Sequence, residues 1–263
     1  MRIVGIIAAR MASTRFPGKP LARIQGIPMI GHVYHRARMA RRIDETWVAT
    51  CDQAIIEYCA SIGAPAVMTS DTHERATDRI AEALVKIEAQ TGSGIDGAVL
   101  VQGDEPMLVP GMLDDLVVPL RDGRAEVANL MSPIASEVEF DDANTVKVVC
   151  DRDRFALYFS REPIPSRRKF TQPVPMWKQL GLIAFTRQAL LEYSQLAATP
   201  LEVIESVDMN RLLEHGRRIL MVETSWRTIA VDTPDDLGRV GMLMAGDALM
   251  VHYTAPMQGD VDE

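Results

Sequence analysis

Ile3-Val4-Gly5-Ile6-Ile7-Ala8-Ala9 runs directly into Arg10-Met11-Ala12-Ser13-Thr14-Arg15-Phe16-Pro17-Gly18-Lys19-Pro20-Leu21. An apolar run is followed at once by a loop of three cations, two hydroxyls and a glycine. The unbroken apolar run suits a strand buried on both faces of a parallel sheet. In open α/β sheets ligands bind at the carboxyl ends of the strands, so the loop lies at the ligand edge. Its backbone N–H groups can wrap phosphate oxygens while Arg10, Arg15 and Lys19 neutralise their charge. It is not a Walker A loop, because Gly18-Lys19 is followed by Pro20 and the GxxxxGK[ST] spacing is missing.

Outward from that loop, strand-like and helix-period segments alternate: a helix over 29–41, strand 46–50, helix 52–62, strand 65–68, helix 77–89, strand 97–102 and helix 110–120. Such alternation implies right-handed βαβ crossovers and an α/β architecture with a mainly parallel central sheet. After residue 126 the pattern changes to strands over 127–132, 146–150 and 156–160, then a proline-spaced projecting loop over 163–175. Helices over 187–196 and 201–215, a strand at 219–222 and a closing helix at 234–245 follow. The expectation is one domain over 1–246, with a nucleotide-binding part at 1–126, a smaller mixed lobe at 127–225, and a closing strand and helix at 226–246. Residues 247–263 are expected to form a loosely held acidic tail.

The chain has 263 residues, 47% of them hydrophobic and 24% charged, which is ordinary globular composition and enough for one large core. Its formal charge of −8 argues against nucleic acid as a partner, since a duplex binder neutralises phosphates with surplus Lys and Arg. Cys51, Cys59 and Cys150 cannot all pair and lack CxxC spacing, which fits free thiols in a reducing cytoplasm. The first apolar run is too short for a membrane span and too quickly charged for a signal peptide, so no membrane partner is expected. None of the five histidines forms an HxxxH or HExxH pair suited to zinc.

Two further segments carry acidic groups at strand ends. Val101-Gln102-Gly103-Asp104-Glu105-Pro106 closes the strand at 97–102. Ile229-Ala230-Val231-Asp232-Thr233-Pro234-Asp235-Asp236-Leu237 reads as a short strand, an aspartate and a proline-started helix. Thr233 and Asp236 make a capping box, which explains part of that motif without any chemistry. Asp232 precedes the cap and is left free. A pair of carboxylates, Asp104 and Asp232, offers the hard oxygen ligands that Mg²⁺ prefers beside substrate phosphates.

These three segments occur in order with Thr77-Asp78-Arg79, Asn144-Thr145-Val146-Lys147-Val148-Val149, Ala156-Leu157-Tyr158-Phe159-Ser160-Arg161 and Pro200-Leu201-Glu202. Together they resemble the 3-deoxy-manno-octulosonate (Kdo) cytidylyltransferase family over about residues 2–240. The resemblance implies a glycosyltransferase-A-like nucleotidyltransferase fold, CTP and an acidic sugar as substrates, Mg²⁺, a homodimer and a place in lipopolysaccharide biosynthesis. It implies that Arg10, Arg15, Lys19, Asp104 and Asp232 carry the catalysis, with Asp104 and Asp232 as the metal ligands. Nucleotide contacts are implied at Ala8, Ala9, Arg10, Ser13, Thr14, Arg15, Lys19, Thr77, Asp78, Arg79 and Gln102. Residues 127–225 become the sugar-binding and dimerisation part, with Gln102, Arg161, Gln179, Ile183 and Glu205 at the sugar acid.

The segment Lys178-Gln179-Leu180-Gly181-Leu182-Ile183 departs from the family's usual Arg-His-Leu-Gly-Ile-Tyr, as do Arg75-Ala76 from Ser-Gly and Ser166 from tryptophan. The departures at 179 and 183 keep open a different carboxylated acceptor, such as an amino-substituted Kdo or a nonulosonic acid. A non-catalytic nucleotide-binding protein is the reading from another class, and retention of both aspartates speaks against it.

Overall fold

The computed structural model describes residues 1–13, 15–169, 172–226 and 228–254. Its strands are β1 (Ile3–Ala9), β2 (Arg23–Ile24), β3 (Ile27–Pro28), β4 (Glu45–Thr50), β5 (Ala66–Met68), β6 (Gly97–Gln102), β7 (Val127–Pro133), β8 (Lys147–Cys150), β9 (Ala156–Ser160), β10 (Trp177–Thr186) and β11 (Leu220–Glu223). Its helices are α1 (Met29–Ala37), α2 (Gln53–Ser61), α3 (Ala76–Thr91), α4 (Pro110–Leu116), α5 (Val118–Arg121), α6 (Glu137–Asp141), α7 (Arg187–Tyr193), α8 (Pro200–Glu205), α9 (Asp208–Glu214), α10 (Pro234–Met244) and α11 (Val251–Thr254).

The main sheet has the order β11-β7-β10-β6-β1-β4-β5. The β6-β1-β4-β5 run is parallel, β10 is antiparallel to both its neighbours, and β11 is parallel to β7. This is the expected mainly parallel α/β sheet, and β8 and β9 form an antiparallel pair hung on β10 as the smaller lobe. Along β1, Val4, Ile6 and Ala8 pack on one side with Ile80, Leu84 and Ile87 of α3. Ile3, Ile7 and Ala9 pack on the other with α1 and α4. The alternation of a strand thus fills both cores, and every residue of β1 is buried.

Four expectations are corrected. The helix over 110–120 is two, α4 and α5, because Pro119 has no N–H to continue the ladder. The helix over 201–215 is also two, α8 and α9, broken where Ser206 takes a left-handed conformation (φ 53°). The short strand before Asp232 is absent: residues 228–232 join no sheet, and Val231 N–H donates to Asp104 O at 2.9 Å. Of the tail expected over 247–263, residues 247–254 are docked, and 255–263 lie outside the described residues. β10 was not anticipated at all.

The docked tail is held by a directed set of hydrogen bonds. The Ile24 carbonyl accepts from His32 Nε2 at 2.8 Å, so His32 Nδ1 must accept, and it does so from the Tyr253 hydroxyl at 3.0 Å. That hydroxyl accepts from Arg36 Nε at 3.1 Å, and Arg36 Nη2 meets Asp247 at 2.8 Å. Burial, with the Arg36 charge adding to it, lowers the His32 pKa and keeps the ring neutral as this pattern requires. Tyr253→Phe leaves both His32 and Arg36 short of a partner. It should lower stability by about 1–2 kcal/mol, roughly 2–4 °C in a chain of this size. An unchanged melting temperature would mean that the segment rests on α1 without stabilising it.

Candidate active site

The loop after β1 is closed by its own backbone and tied to α2. Gly18 N–H donates to Met11 O at 3.0 Å, and Met11 N–H donates to Asp52 Oδ2 at 2.8 Å. Ser13 Oγ accepts from Phe16 N–H at 3.4 Å. A single 3₁₀ turn over Lys19–Leu21 then directs Lys19 back toward the sheet edge. Thr14 lies outside the described residues.

Lys19 Nζ lies 2.8 Å from Asp104 Oδ2 and 3.4 Å from Asp232 Oδ1. Arg15 Nη2 reaches the same Asp232 oxygen at 3.0 Å. The two aspartates come from different halves of the sequence, yet the Val231-to-Asp104 backbone bond sets their segments side by side. Thr233 and Asp236 form the expected capping box at the start of α10, which leaves the Asp232 carboxylate to the cations. The side chain of Lys19 is only 12% exposed, so it is a clasped lysine rather than a solvated one.

Gly103 brings the Asp104 turn against β1. A Cβ on it would stand 2.8 Å from the Ala8 carbonyl oxygen, so only glycine allows this approach. Gly181 is constrained in the same way from the other side. A Cβ there would fall 2.6 Å from Gln102 Cγ and 3.2 Å from Glu105 Oε1. Glu105 itself is buried, and burial, with the neighbouring Asp104 charge, raises its carboxyl to about 7. The Thr228 hydroxyl and the Gly181 N–H oppose that rise.

Two adjoining cavities open on this edge. The smaller, about 400 Å³, is walled by Ala8, Ala9, Arg10, Ser13, Lys19, Arg79 and Asp104. The larger, about 1410 Å³, is walled by Glu105, Asn144, Lys178, Gln179 and Ile183 among others. Arg15, Arg75, Gln102 and Asp232 line both and mark the boundary between them. Arg79 is buried in the smaller cavity's wall, where Nη1 donates to Thr69 Oγ1 at 2.5 Å while Nη2 has no partner among the described residues.

Several expected site residues face elsewhere. Thr77 is fully buried and donates to Asp208 at 2.9 Å, and Asp78 meets Arg211 at 3.4 Å, so both fasten α3 to α9. Neither lines either of the two cavities. Arg161 and Glu205 are likewise absent from both walls. The Arg161 guanidinium donates to the carbonyls of Glu205, Ala143 and Ser206 at 2.6, 2.9 and 3.3 Å. Glu205 accepts from Tyr158 at 2.7 Å and from Ser160 at 2.9 Å. The pair ties β9 to α8 behind the larger cleft. Arg75, Glu105 and Asn144 line the cavities without having been assigned to the site, although all three stand in segments already singled out.

The donor set at Asp104 and Asp232 fits magnesium. Among the described residues no group of three or more His, Cys, Asp or Glu gathers as a metal cage. Two carboxylates with room for phosphate oxygens and water are Mg²⁺'s usual holding, and the Lys19 ammonium between them shows that the place favours a cation.

Residues 4–219 match the cytidylyltransferase family profile. The chain is 44% identical over 251 residues to the 3-deoxy-manno-octulosonate cytidylyltransferase of Geobacter metallireducens, covering 91% of this chain and 96% of that protein. It is also similar to the solved structure of a CMP:2-keto-3-deoxy-manno-octonic acid synthetase complexed with CTP. That match has a TM-score of 0.86 at 40% identity and covers 93% of this chain and 99% of the other. A 4-diphosphocytidyl-2C-methyl-D-erythritol synthase from Anaerococcus prevotii shares the fold alone, at 13% identity and TM-score 0.61 over 93% of this chain and 98% of that one.

Proposed function

Because the chain belongs to the Kdo cytidylyltransferase family, we propose that its two cavities divide one reaction, with CTP in the smaller and the sugar acid in the larger. The enzyme transfers CMP from CTP to the anomeric hydroxyl of Kdo and releases pyrophosphate, which places it in lipopolysaccharide biosynthesis. The observation that carries the division is the boundary itself: Asp232, Arg15 and Gln102 belong to both walls, so the reacting groups meet there.

Phosphoryl transfer of this kind leaves the protein little covalent work, so positioning and charge neutralisation supply the catalysis. Arg10, Ser13, Arg15 and Lys19 receive the triphosphate, and Arg15 and Lys19 offset the charge that builds on the leaving pyrophosphate. Gln102 orients the two substrates at the boundary. Asp104 and Asp232 would hold magnesium, which when bound would supply a Lewis acid beside the phosphates and lower the pKa of a nearby hydroxyl. With CTP present, Lys19 exchanges its two carboxylates for phosphate oxygens.

The assignment is tested by incubating the protein with CTP, Mg²⁺ and Kdo, following pyrophosphate release, and identifying CMP-Kdo by mass. Release with another sugar acid but not with Kdo would overturn the acceptor.

A homodimer is supported by Leu157, Val203 and Ile204, which stand 61%, 63% and 74% exposed on β9 and α8. Light scattering at micromolar concentration decides it. No helix among the described residues is long and apolar enough to cross a membrane, and the three cysteines are free, which supports a cytoplasmic setting.

A further inference from the structure

β10 and β7 pair in register at Gln179 with Met131 and again at Ile183 with Asn129, so β10 carries two more residues than its partner between these points. The bulge at 180–182 takes backbone carbonyls out of the ladder. Asn129, fully buried beneath it, supplies the missing donors: its Nδ2 donates to Leu180 O at 2.8 Å and to Leu182 O at 2.9 Å. Both amide hydrogens are therefore committed to groups that can only accept, and the Asn129 amide cannot be turned over. Its Oδ1 must point the other way, where Gln179 Nε2 donates to it at 2.6 Å. A reversed Gln179 would set two carbonyl oxygens against each other at that distance. The Gln179 amide is thus fixed as well; Gln179 lines the larger cleft with Ile183, and its Oε1 has no partner among the described residues.

We propose that Asn129 is a positioning residue that sets the polarity of Gln179, fixing its Oε1 as an acceptor for a hydroxyl of the acceptor sugar, with the one remaining Nε2 hydrogen beside it. Ile183 covers the neighbouring side with an apolar surface that offers the sugar no second polar contact. In Gln179→His, an imidazole donating to Asn129 Oδ1 through one ring nitrogen would present the other as a bare acceptor, so the polarity would be kept although the residue changes.

The inference rests on Kdo as acceptor, and the test separates the two. Steady-state kinetics compare Kdo with its monodeoxy analogues for the wild type, Gln179→Met, Gln179→His and Asn129→Ala. The wild type should disfavour one analogue by about tenfold in kcat/KM, the worth of one neutral hydrogen bond. Gln179→Met should raise KM for Kdo about tenfold, leave KM for CTP unchanged and accept that analogue as well as Kdo. Gln179→His should keep the discrimination. Asn129→Ala should lose it although Gln179 is still present. Unchanged selectivity in Gln179→Met, or selectivity retained in Asn129→Ala with only a lowered melting temperature, overturns the proposal. Where Asn129→Ala fails to fold, Gln179→Glu makes the same test: its carboxylate faces Asn129 Oδ1 acceptor to acceptor, and Kdo turnover at or above that of Gln179→Met overturns the proposal. A wild type that turns over no Kdo removes the acceptor reading first and this inference with it, whereas a wild type active on Kdo with indifferent variants removes only the inference.

Discussion

Asp104→Asn and Asp232→Asn should each cut turnover by on the order of a hundredfold or more, in a protein that folds normally. Each change keeps side-chain volume and removes one charge from a group about a third exposed, with no core contact to lose. The Val231-to-Asp104 bond that aligns the two segments is made by backbone atoms and survives either substitution. The loss should therefore appear in kcat, with near-wild-type thermal unfolding and CTP still bound in the smaller cavity. Near-normal pyrophosphate release from both variants at saturating Mg²⁺ would remove these carboxylates from the reaction.

Lys19→Ala should lower kcat/KM by about tenfold to a hundredfold, since one charge-assisted phosphate contact is worth about 1.5–3 kcal/mol. The structure adds a second consequence that an exposed lysine would not have. Removing the ammonium leaves Asp104 and Asp232 side by side with Arg15 as the one cation paired to them among the described residues. The variant should melt earlier than wild type without divalent cation, and added Mg²⁺ should raise its melting temperature more than it raises that of the wild type. Catalysis should not return with stability, because the metal does not replace the phosphate contact. Full specific activity in a variant that melts early would make Lys19 structural.

Much of this site could be read from the sequence, because its groups stand immediately after apolar runs. A strand such as Ile3–Ala9 announces itself by seven apolar residues, and whatever follows it lies at the ligand edge. Asp104 was legible for the same reason. Asp232 was placed correctly for the wrong local reason: the segment before it is extended but joins no sheet, and a run of three apolar residues cannot tell the two apart. β10 was hidden because Gly181 and the bulge break the alternation that marks a strand, and because the prolines before it read as one long loop. Arg161 and Glu205 illustrate a different limit. The family resemblance implied a sugar pocket for both, but each side chain is engaged by neighbouring groups behind the cleft, and sequence gives no sign of which partners a charged group will find. The Tyr253 anchor was missed because no pattern within the tail signals its contact with His32 and Arg36 on α1.

The place of β10 in the sheet bears on how the chain acquires its fold. β6 and β7 follow each other in sequence, yet β10 lies between them, hydrogen-bonded to both. When residues 1–133 have left the ribosome, β6 still presents an open edge and β7 has no partner. The gap cannot close before Trp177–Thr186 is made, and Asp104 waits still longer for the segment that carries Asp232. Such non-local pairing is slow and leaves unpaired strand edges exposed while synthesis continues. Residues 1–133 therefore cannot complete their part of the sheet alone. A nascent chain arrested short of β10 should be the species that chaperones hold and proteases cut, and the activity should emerge only near the end of translation.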